Sequence, residues 1–260
     1  MNSSRQSGRH VVVTGASSGI GRAIAVRAAA EGATLSLLAR RVALLEETAE
    51  MVRVAGAPSV FVTASDVADR ASVTRAFDAA AAANGPVHAV VAAAGIGGPN
   101  SAGPDDRFDV IVQTNLTGTY NTLRAAEAHL APGPDTRHMV VISSVLARFG
   151  VPGYTGYCAS KAALLGLVRA FALELARANV QVNAICPGWV DTDMAWEGID
   201  GMAAAMKVSR EEAHRRAMSA VPLGRMGKPE EVAGMVAWLL SADARGVTGQ
   251  GLDINGGAWM

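Results

Sequence analysis

Tyr157 and Lys161 stand four positions apart at the start of the apolar segment "YTGYCASKAAL". Residues at this spacing are neighbours on an α-helix, so the ammonium group can lie near the phenol, favour the phenolate and lower the pKa of the phenol. Such a tyrosine can exchange a proton with a ketone or alcohol oxygen near neutral pH. For an isolated pair, the commoner arrangement is a tyrosine and a lysine at a helix edge with their polar ends in water.

Two further polar residues can complete a site around this pair. Ser144 ends the predicted strand "HMVVISS", and Asn115 lies in "QTNLTGTY" on a predicted helix that we expect to pack nearby. A hydroxyl group at the carboxyl end of a strand can hold a substrate oxygen while the tyrosine transfers its proton. The surroundings therefore favour a chemical role for the tyrosine and lysine.

A glycine-rich turn precedes these residues. The segment "TGASSGIGRAIA" places Gly15, Gly19 and Gly21 between the first predicted strand and the first predicted helix. Glycines allow a close backbone approach to a pyrophosphate, and the free N–H groups of a helix start favour its negative charge. The spacing G-x3-G-x-G differs from the usual dinucleotide fingerprint, and a purely structural turn is the alternative. Its position directly after the first strand favours dinucleotide binding.

The end of the second predicted strand indicates which dinucleotide binds. It runs into "LARR" without an acidic residue, and Arg40 lies about 20 residues after the last glycine, where a basic group accommodates the 2′-phosphate of NADP. Arg40 therefore predicts NADP(H) over NAD(H), whereas Arg41 fits a solvated helix start equally well. Asp66, after the third predicted strand, fits either an acceptor for the adenine amino group or a helix cap.

The elements that must position these residues follow from the hydrophobic pattern. Short β-branched segments alternate with alanine-rich segments of helical period, and the predicted strands are apolar on both faces. We therefore predict an α/β fold, a Rossmann-type doubly wound parallel sheet with helices on both faces. No linker divides the chain, so residues 10–260 are predicted to form a single dinucleotide-binding catalytic domain after a flexible N-terminal tail, residues 1–9.

Composition limits the class of protein. The 260 residues include 23 basic and 23 acidic ones, and this zero formal charge argues against a nucleic-acid partner. No apolar segment reaches the roughly 20 residues that span a bilayer, and the start lacks the apolar core of a signal peptide. Cys158 and Cys186 show no metal-binding or disulfide pattern. We expect a cytoplasmic protein with reduced thiols, no metal and no membrane contact.

The glycine-rich turn, Ser144, the Tyr157–Lys161 pair and Asn115 together resemble the short-chain dehydrogenase/reductase family, from about His10 to Met260. The resemblance implies that Tyr157 is the general acid in reduction and that Ser144 hydrogen-bonds the carbonyl. Lys161 would lower the tyrosine pKa and bind the nicotinamide ribose. Asn115 would hold a water that relays protons. The closing segment looks like the helix and strand that commonly form a tetramer interface, so a homotetramer is expected.

The resemblance also implies the cofactor contacts. The segment "CPGWVDT" matches the family's PG segment, in which Val190 and Thr192 would contact the nicotinamide carboxamide. One departure is "VAAAGI", where Ala92 and Ala93 replace two asparagines that brace the central sheet, although the backbone contact to the cofactor survives. The implied cofactor-binding residues are Gly15, Ser17, Ser18, Gly19, Ile20, Gly21, Arg40, Asp66, Val67, Ala93, Gly95, Tyr157, Lys161, Pro187, Gly188, Val190 and Thr192.

Substrate choice is predicted to depend on residues 193–222, which are longer than a simple connection and look like a mobile lid. Ser209 and Glu212 fit a capping box, and the methionines of the lid can repack around variable ligands. Trp189, Met194 and Trp196 each fit either a pocket wall or ordinary packing. The predicted substrate contacts are Val145, Tyr154, Trp189, Met194 and Trp196.

Within the family, the segment "LELARANVQVNAICPGWVDTDMA" looks most like 3-oxoacyl and polyketide ketoreductases. The reaction implied is the interconversion of a ketone and a secondary alcohol. Fatty-acid reductases of that group dock an acyl carrier protein through arginines, and the matching positions here are Asp135 and Ala178, with Arg177 adjacent. A carrier-protein partner therefore stays open. The alternative function is a non-catalytic dinucleotide-sensing scaffold, but such relatives usually lose the tyrosine or the lysine.

Overall fold

The computed structural model describes residues 5–260. In this part of the chain, seven strands form one parallel sheet in the order β3-β2-β1-β4-β5-β6-β7. The β-branched segments of the sequence become these strands because their side chains are covered on both faces. The strands are β1 (His10–Thr14), β2 (Thr34–Ala39), β3 (Val60–Ala64), β4 (Ala89–Ala92), β5 (Arg137–Ile142), β6 (Val180–Pro187) and β7 (Gly251–Ile254).

Helices cover both faces of the sheet. They are α1 (Gly19–Ala30), α2 (Val42–Val54), α3 (Arg70–Asn84), α4 (Phe108–Val112), α5 (Gly118–Ala128), α6 (Thr155–Leu175), α7 (Asp193–Met206), α8 (Arg210–Ser219) and α9 (Pro229–Leu239). Along β1, Val11 and Val13 pack into one apolar core and Val12 into the other. This period of two, buried on both sides, confirms the predicted doubly wound α/β fold.

The sheet topology also fixes where a ligand can bind. The strand order reverses between β1 and β4, and in open parallel sheets a crevice forms outside the carboxyl ends of the strands at such a point. Gly15 follows β1, Gly95 lies shortly after β4, Ser144 follows β5 and Pro187 ends β6. The predicted cofactor and catalytic residues therefore come from neighbouring strands at one edge of the sheet.

The predicted flexible tail requires a correction. The side chain of Gln6 is buried, its backbone N–H donates to Glu31 O at 2.9 Å, and its Nε2 donates to Leu240 O at 3.0 Å. Arg9 Nη2 donates to Thr136 O at 2.6 Å. Residues 5–9 are therefore attached to the sheet and its helices by long-range hydrogen bonds, whereas residues 1–4 lie outside the described part of the chain.

The predicted lid region folds into α7 and α8. Ser209 Oγ accepts a hydrogen bond from Glu212 N at 3.2 Å, so the predicted helix start at Ser209 is confirmed. The Glu212 carboxylate binds Arg216 at 2.6 Å, whereas a reciprocal capping box would direct it to the Ser209 backbone. The two helices enclose a small apolar cluster around Ile199, Ala213 and Met218 that is separate from the two large cores.

Two kinds of feature, a membrane-spanning helix and a metal-binding cluster, are not found within residues 5–260. No helix there is long and apolar enough to cross a membrane. No group of three or more His, Cys, Asp or Glu side chains in the same part of the chain is arranged to hold a metal ion.

Candidate active site

The turn between β1 and α1 requires its glycines. Gly15 has a φ of +70°, and a Cβ built on it would lie 2.6 Å from Ala94 N. A Cβ on Gly21 would lie 2.3 Å from Gly15 O. No side chain caps the start of α1 at Ser18, so the first N–H groups of this helix remain available to an anion.

The segment after β6 reaches the same turn. A Cβ on Gly19 would lie 3.1 Å from Thr192 Cγ2, and a Cβ on Gly188 would lie 2.9 Å from Asn255 Cα. The chain thus brings Gly19 and Thr192, both predicted cofactor contacts, next to each other. Pro187 and Val190 are buried in this segment.

Asn115 lies in a π-helical turn, Gln113–Thr117, that interrupts the helix between α4 and α5. Such turns widen a helix locally and are frequent at functional sites. The side chain is buried and makes three hydrogen bonds: Oδ1 accepts from Ile96 N at 2.8 Å, and Nδ2 donates to Ile96 O at 3.0 Å and to Ser160 Oγ at 3.1 Å. Asn115 therefore ties the segment after β4 to helix α6.

Lys161 is buried below Tyr157 on α6. Its Nζ donates to Ile142 O at 2.9 Å and lies 5.6 Å from the centroid of the Tyr157 ring. A Cβ on Gly95 would lie 3.4 Å from Lys161 Nζ and 3.2 Å from Asn115 Oδ1, so both polar groups lie close to this glycine. Burial lowers the pKa of Lys161 to about 8 because the buried ammonium is poorly hydrated.

The Tyr157 hydroxyl meets Ser144. Ser144 Oγ accepts from Leu146 N at 3.1 Å and hydrogen-bonds the phenol through its own hydroxyl. Burial raises the pKa of Tyr157, and this effect exceeds the lowering by the Ser144 hydrogen bond. The Lys161 ammonium is directed to Ile142 O and does not reverse this upward shift, and a lowering of the tyrosine pKa by Lys161 stays a prediction. The phenol is protonated at neutral pH, the form that a proton donor requires.

Arg40 and Arg41, which follow β2, differ in their side-chain contacts. Arg41 Nη2 donates to Ser18 Oγ at 2.9 Å and to Ser17 Oγ at 3.3 Å, which places its guanidinium over the glycine-rich turn. The Arg40 side chain is exposed and has no hydrogen-bond or ion-pair partner within residues 5–260. The structure thus brings Arg41, the residue that the sequence favoured less, to the predicted phosphate site.

Asp66 and Val67, which follow β3, are two of the predicted cofactor contacts. Asp66 Oδ1 accepts from Ala68 N at 3.0 Å, and the cap of α3 is Asp69, so the alternative reading of Asp66 as the helix cap is wrong. Val67 is buried, and a Cβ on Gly118 would lie 2.6 Å from Val67 Cγ2. One Asp66 carboxylate oxygen has no hydrogen-bond partner shown in this turn and can accept from a ligand.

The predicted substrate residues divide into two groups. Met194 and Tyr157 both lie next to Gly97, where a Cβ would be 3.1 Å from Met194 Sδ and 4.0 Å from Tyr157 Cε2. Val145 is buried in the turn after Ser144, and Tyr154 precedes α6, with its pKa raised by burial.

Trp189 and Trp196, the two tryptophans among the predicted substrate contacts, lie at the lid helices. Trp189 packs against Gly198, where a Cβ would lie 3.3 Å from its ring, and Trp196 donates from Nε1 to Asp191 Oδ1 at 2.7 Å. Both rings belong to the apolar cluster of α7 and α8. The predicted substrate contact of Trp196 stays a prediction, and the partners that the structure gives this side chain are Asp191, His214 and Arg210.

Comparison with known proteins gives a consistent result. A family model described as enoyl-(acyl carrier protein) reductase matches residues 15–258. A putative ketoacyl reductase of the granaticin polyketide synthase from Streptomyces violaceoruber is 39% identical over 251 residues, covering 95% of this chain and 91% of the relative. The 3-oxoacyl-(acyl-carrier-protein) reductase MabA of Mycobacterium tuberculosis is 34% identical, covering 97% of this chain and 93% of the relative. The chain belongs to the short-chain dehydrogenase/reductase family.

A solved structure agrees with this assignment. A variant of the actinorhodin polyketide ketoreductase with NADPH superposes with a TM-score of 0.90 at 34% identity, covering 99% of each chain. The chain is therefore an oxidoreductase of the short-chain dehydrogenase/reductase family with the fold of that enzyme.

A cavity of this short-chain dehydrogenase/reductase lies next to helices α7 and α8, and none of the four catalytic candidates lines it. Its volume is about 650 Å³, and Trp196 and His214 form one wall. The remaining lining residues are Asp191, Arg225, Met226, Lys228 and Glu231.

Sequence reasoning missed one residue that supports the site. Arg148 Nη2 donates to Gly251 O at 2.7 Å and to Asp253 Oδ2 at 2.9 Å, which attaches the turn after Ser144 to β7. The position of Arg148 four residues after Ser144 is the only local signal, and its partners lie about 100 residues away in the sequence. Only the fold brings them together.

Proposed function

We propose that this short-chain dehydrogenase/reductase interconverts a ketone and a secondary alcohol, with NADP(H) as the hydride carrier. The observation that carries the proposal is the meeting of Tyr157, Ser144 and Lys161 at the sheet edge where the start of α1 is uncapped. A proton donor, a hydrogen-bond donor for a carbonyl and a binding place for a diphosphate then share one crevice.

NADPH, when bound, supplies the hydride for the carbonyl carbon. Tyr157 donates its proton to the carbonyl oxygen, and Ser144 holds that oxygen with its hydroxyl. Leu146 N donates to the Ser144 oxygen at 3.1 Å, so the Ser144 hydroxyl proton can turn from the phenol to the substrate oxygen. The nearby Lys161 ammonium stabilises the tyrosinate that forms.

Asn115 has a positioning role in this proposal. Both protons of its Nδ2 are used by Ile96 O and Ser160 Oγ, so the side chain holds the segment after β4 against α6. A relay water at Asn115 stays a prediction. It would have to bind through the remaining lone pair of Oδ1 or through the backbone.

The 2′-phosphate of NADPH is proposed to bind at Arg41, Ser17 and Ser18, with Arg40 beside them. A guanidinium can hold a phosphate through two charge-assisted hydrogen bonds, and the absence of an acidic residue in "LARR" removes a group that would bind the ribose hydroxyls of NADH. The distance of 2.9 Å from Arg41 to Ser18 supports this placement.

The proposed substrate is a 3-oxoacyl or polyketide-type ketone, because the relatives reported above are named as reductases of such compounds. Met194 gives the space beside Tyr157 an apolar side. Docking of an acyl carrier protein is less well supported. Arg137, between the two docking positions, is buried and donates to Asp135 O and Ala178 O, so its charge is not presented to a partner.

The remaining parts of the proposal concern the cell and the assembly. Cys158 and Cys186 are free thiols, in keeping with a cytoplasmic location. We propose residues 193–222 as the substrate lid, residues 10–260 as the catalytic domain and a homotetramer as the assembly.

The experiment follows NADPH absorbance with purified protein and a panel of ketones, diketones, 3-oxoacyl-CoA thioesters and polyketide mimics. Reduction of a 3-oxoacyl thioester or a polyketide mimic supports the proposal. Binding of NADPH without turnover of any compound would favour the alternative, a dinucleotide-sensing scaffold. Absence of NADPH binding would contradict both functions.

A further inference from the structure

Trp196 joins three parts of the molecule. Its Nε1 donates to Asp191 Oδ1 at 2.7 Å, which crosses from α7 to the segment after β6. Its ring stacks on His214 of α8 with centroids 5.2 Å apart, and the guanidinium of Arg210 at the start of α8 lies 4.6 Å from its centroid. One side chain therefore contacts both lid helices and the segment that precedes them.

Asp191 belongs to a segment that is fixed by backbone hydrogen bonds. Asp191 N donates to Gly227 O at 2.9 Å, and Gly227 N donates to Trp189 O at 2.8 Å. Its neighbours in sequence are Val190 and Thr192, the proposed nicotinamide contacts. A cofactor that displaced this segment would therefore also move the Asp191 carboxylate.

Apolar packing also joins these parts, since Trp189, Met226 and Ala258 contact the cluster of α7 and α8, and Trp196 adds a polar contact with the segment after β6. The cavity of about 650 Å³ is lined by Trp196 and His214 together with Arg225 and Lys228. Arg225 is already paired with Glu231 at 2.7 Å, and Arg210 with Asp200 at 2.9 Å. The chain between α7 and α8 passes through Lys207 in a left-handed conformation, so α8 is attached to α7 by a short turn and by packing.

We propose that Trp196 is a positioning residue that couples the segment carrying the proposed cofactor contacts Pro187, Gly188, Val190 and Thr192 to the lid helices α7 and α8. With NADPH bound to this segment, the hydrogen bond to Asp191 and the stack on His214 hold α7 so that Met194 lies beside Tyr157. This inference rests on the proposed function. It assigns Trp196 to the order of the lid and to ketone affinity, and it assigns it no contact with the substrate.

The test uses hydrogen–deuterium exchange of peptides from residues 193–219, with and without NADPH, together with NADPH titration and ketone kinetics. Trp196→Phe keeps a smaller aromatic ring for His214 and Arg210 and removes the N–H donor. Asp191→Ala removes the acceptor, and Asp191→Asn keeps a carbonyl oxygen that can accept. Trp238→Phe on α9 is the matched control, because Trp238 is another partly exposed tryptophan and does not line the cavity. Thermal melting checks that each variant is folded.

In the wild type, we expect NADPH to slow exchange in the lid. In Trp196→Phe and Asp191→Ala, NADPH should bind with a Kd within about two-fold of the wild type but no longer slow that exchange. The KM for the ketone should rise about ten-fold at nearly unchanged kcat, as loss of one charge-assisted hydrogen bond allows. Asp191→Asn and Trp238→Phe should behave like the wild type.

Two results would overturn the inference in distinguishable ways. If wild type and Trp196→Phe both bind NADPH, reduce the ketone and show equal lid protection and KM, the coupling is wrong and the proposed function stands. If the wild type neither binds NADPH nor reduces any ketone, the proposed function fails, and the coupling fails with it.

Discussion

The two ends of the parallel sheet bury titratable groups in opposite ways. At the carboxyl ends, Tyr157 and Lys161 lie beside an uncapped helix start. At the amino ends, His10 Nδ1 bonds Gly85 O at 2.8 Å, its Nε2 bonds Ser36 Oγ at 2.8 Å, and His10 N donates to His88 Nδ1 at 3.1 Å. Both ring nitrogens of His10 and Nδ1 of His88 thus have protein partners, whereas the carboxyl end keeps hydroxyl and backbone N–H groups for a ligand.

The comparison teaches that burial alone does not identify a functional group. Burial lowers the pKa of His138 to about 3 and the pKa of Lys161 to about 8, and it lowers those of His10 and His88 as well. The pKa shift of His138 is larger than those of His10 and His88. His138 nevertheless lies near the start of β5, at the opposite end from the carboxyl ends of the strands where a ligand crevice forms. What separates the two ends is the free hydrogen-bonding capacity of the groups.

The largest effect before the final test is expected from Lys161→Ala. Turnover of the ketone should fall by about 100-fold, because the cation that stabilises the tyrosinate is lost, and NADPH affinity should fall because the same ammonium is assigned to the ribose. Steady-state kinetics and NADPH titration measure the two effects. Unchanged NADPH affinity would remove the ribose role and leave the lysine with the tyrosine alone.

The pH dependence of NADPH binding by the wild type tests the same, carboxyl end of the sheet. The pKa of Lys161 is about 8, so its ammonium is lost as the pH rises through about 8. We expect NADPH affinity to decrease over that range at constant ionic strength. An affinity that stays constant up to about pH 9.5 would show that the lysine keeps its proton or does not touch the cofactor.

A smaller effect is expected at the edge of the cofactor site. If the guanidinium contact to the 2′-phosphate contributes about 1.5–3 kcal/mol, NADPH should bind about 10- to 100-fold tighter than NADH. Arg41→Ala should reduce this preference more than Arg40→Ala, because only Arg41 reaches Ser17 and Ser18. Ala39→Asp combined with Arg40→Ala should turn the preference towards NADH. Equal binding of NADH and NADPH by the wild type would contradict the phosphate site.

The smallest effect on turnover is expected at the amino end. His10, His88 and His138 have lowered pKa values, so below about pH 6.5 the unfolded chain binds more protons than the folded chain, and the free energy of unfolding decreases as the pH falls. Each histidine that stays neutral contributes a loss of about 2 kcal/mol between about pH 7 and pH 5.

His138→Leu tests this region, with urea unfolding at the two pH values as the measurement. The variant should lose less free energy on acidification than the wild type and reduce ketones at the same rate at about pH 7. An equal loss in variant and wild type would show that His138 is not a source of the pH dependence.

The sequence predicted the carboxyl end better than the amino end, for a physical reason. Glycines that must approach backbone, such as Gly15 and Gly21, and a helical spacing such as that of Tyr157 and Lys161 are local signals. The hydrophobic period likewise predicted the parallel sheet. The anchoring of Gln6 through Leu240 depends on contacts 234 positions apart, for which no local pattern exists.

Three features of the site could not be predicted from the sequence and became clear only from the structure. Helical spacing places Trp196 on a face of α7 but does not say whether Asp191 or the substrate lies opposite that face. The choice between Arg40 and Arg41 depends on how the chain turns at the start of α2. The direction in which the pKa of Tyr157 shifts is set by desolvation against the Ser144 hydrogen bond, whereas the spacing of Tyr157 and Lys161 indicates only a nearby cation.

The most direct test of chemistry at the carboxyl end compares wild type with Tyr157→Phe in the reduction of a 3-oxoacyl thioester by NADPH. The variant keeps the ring beside Lys161 and Met194 and loses only the hydroxyl. Turnover should fall by about 100-fold or more, while the Kd for NADPH and the melting temperature stay within error of the wild type. Reduction by Tyr157→Phe at the wild-type rate would contradict the assignment of Tyr157 as the proton donor.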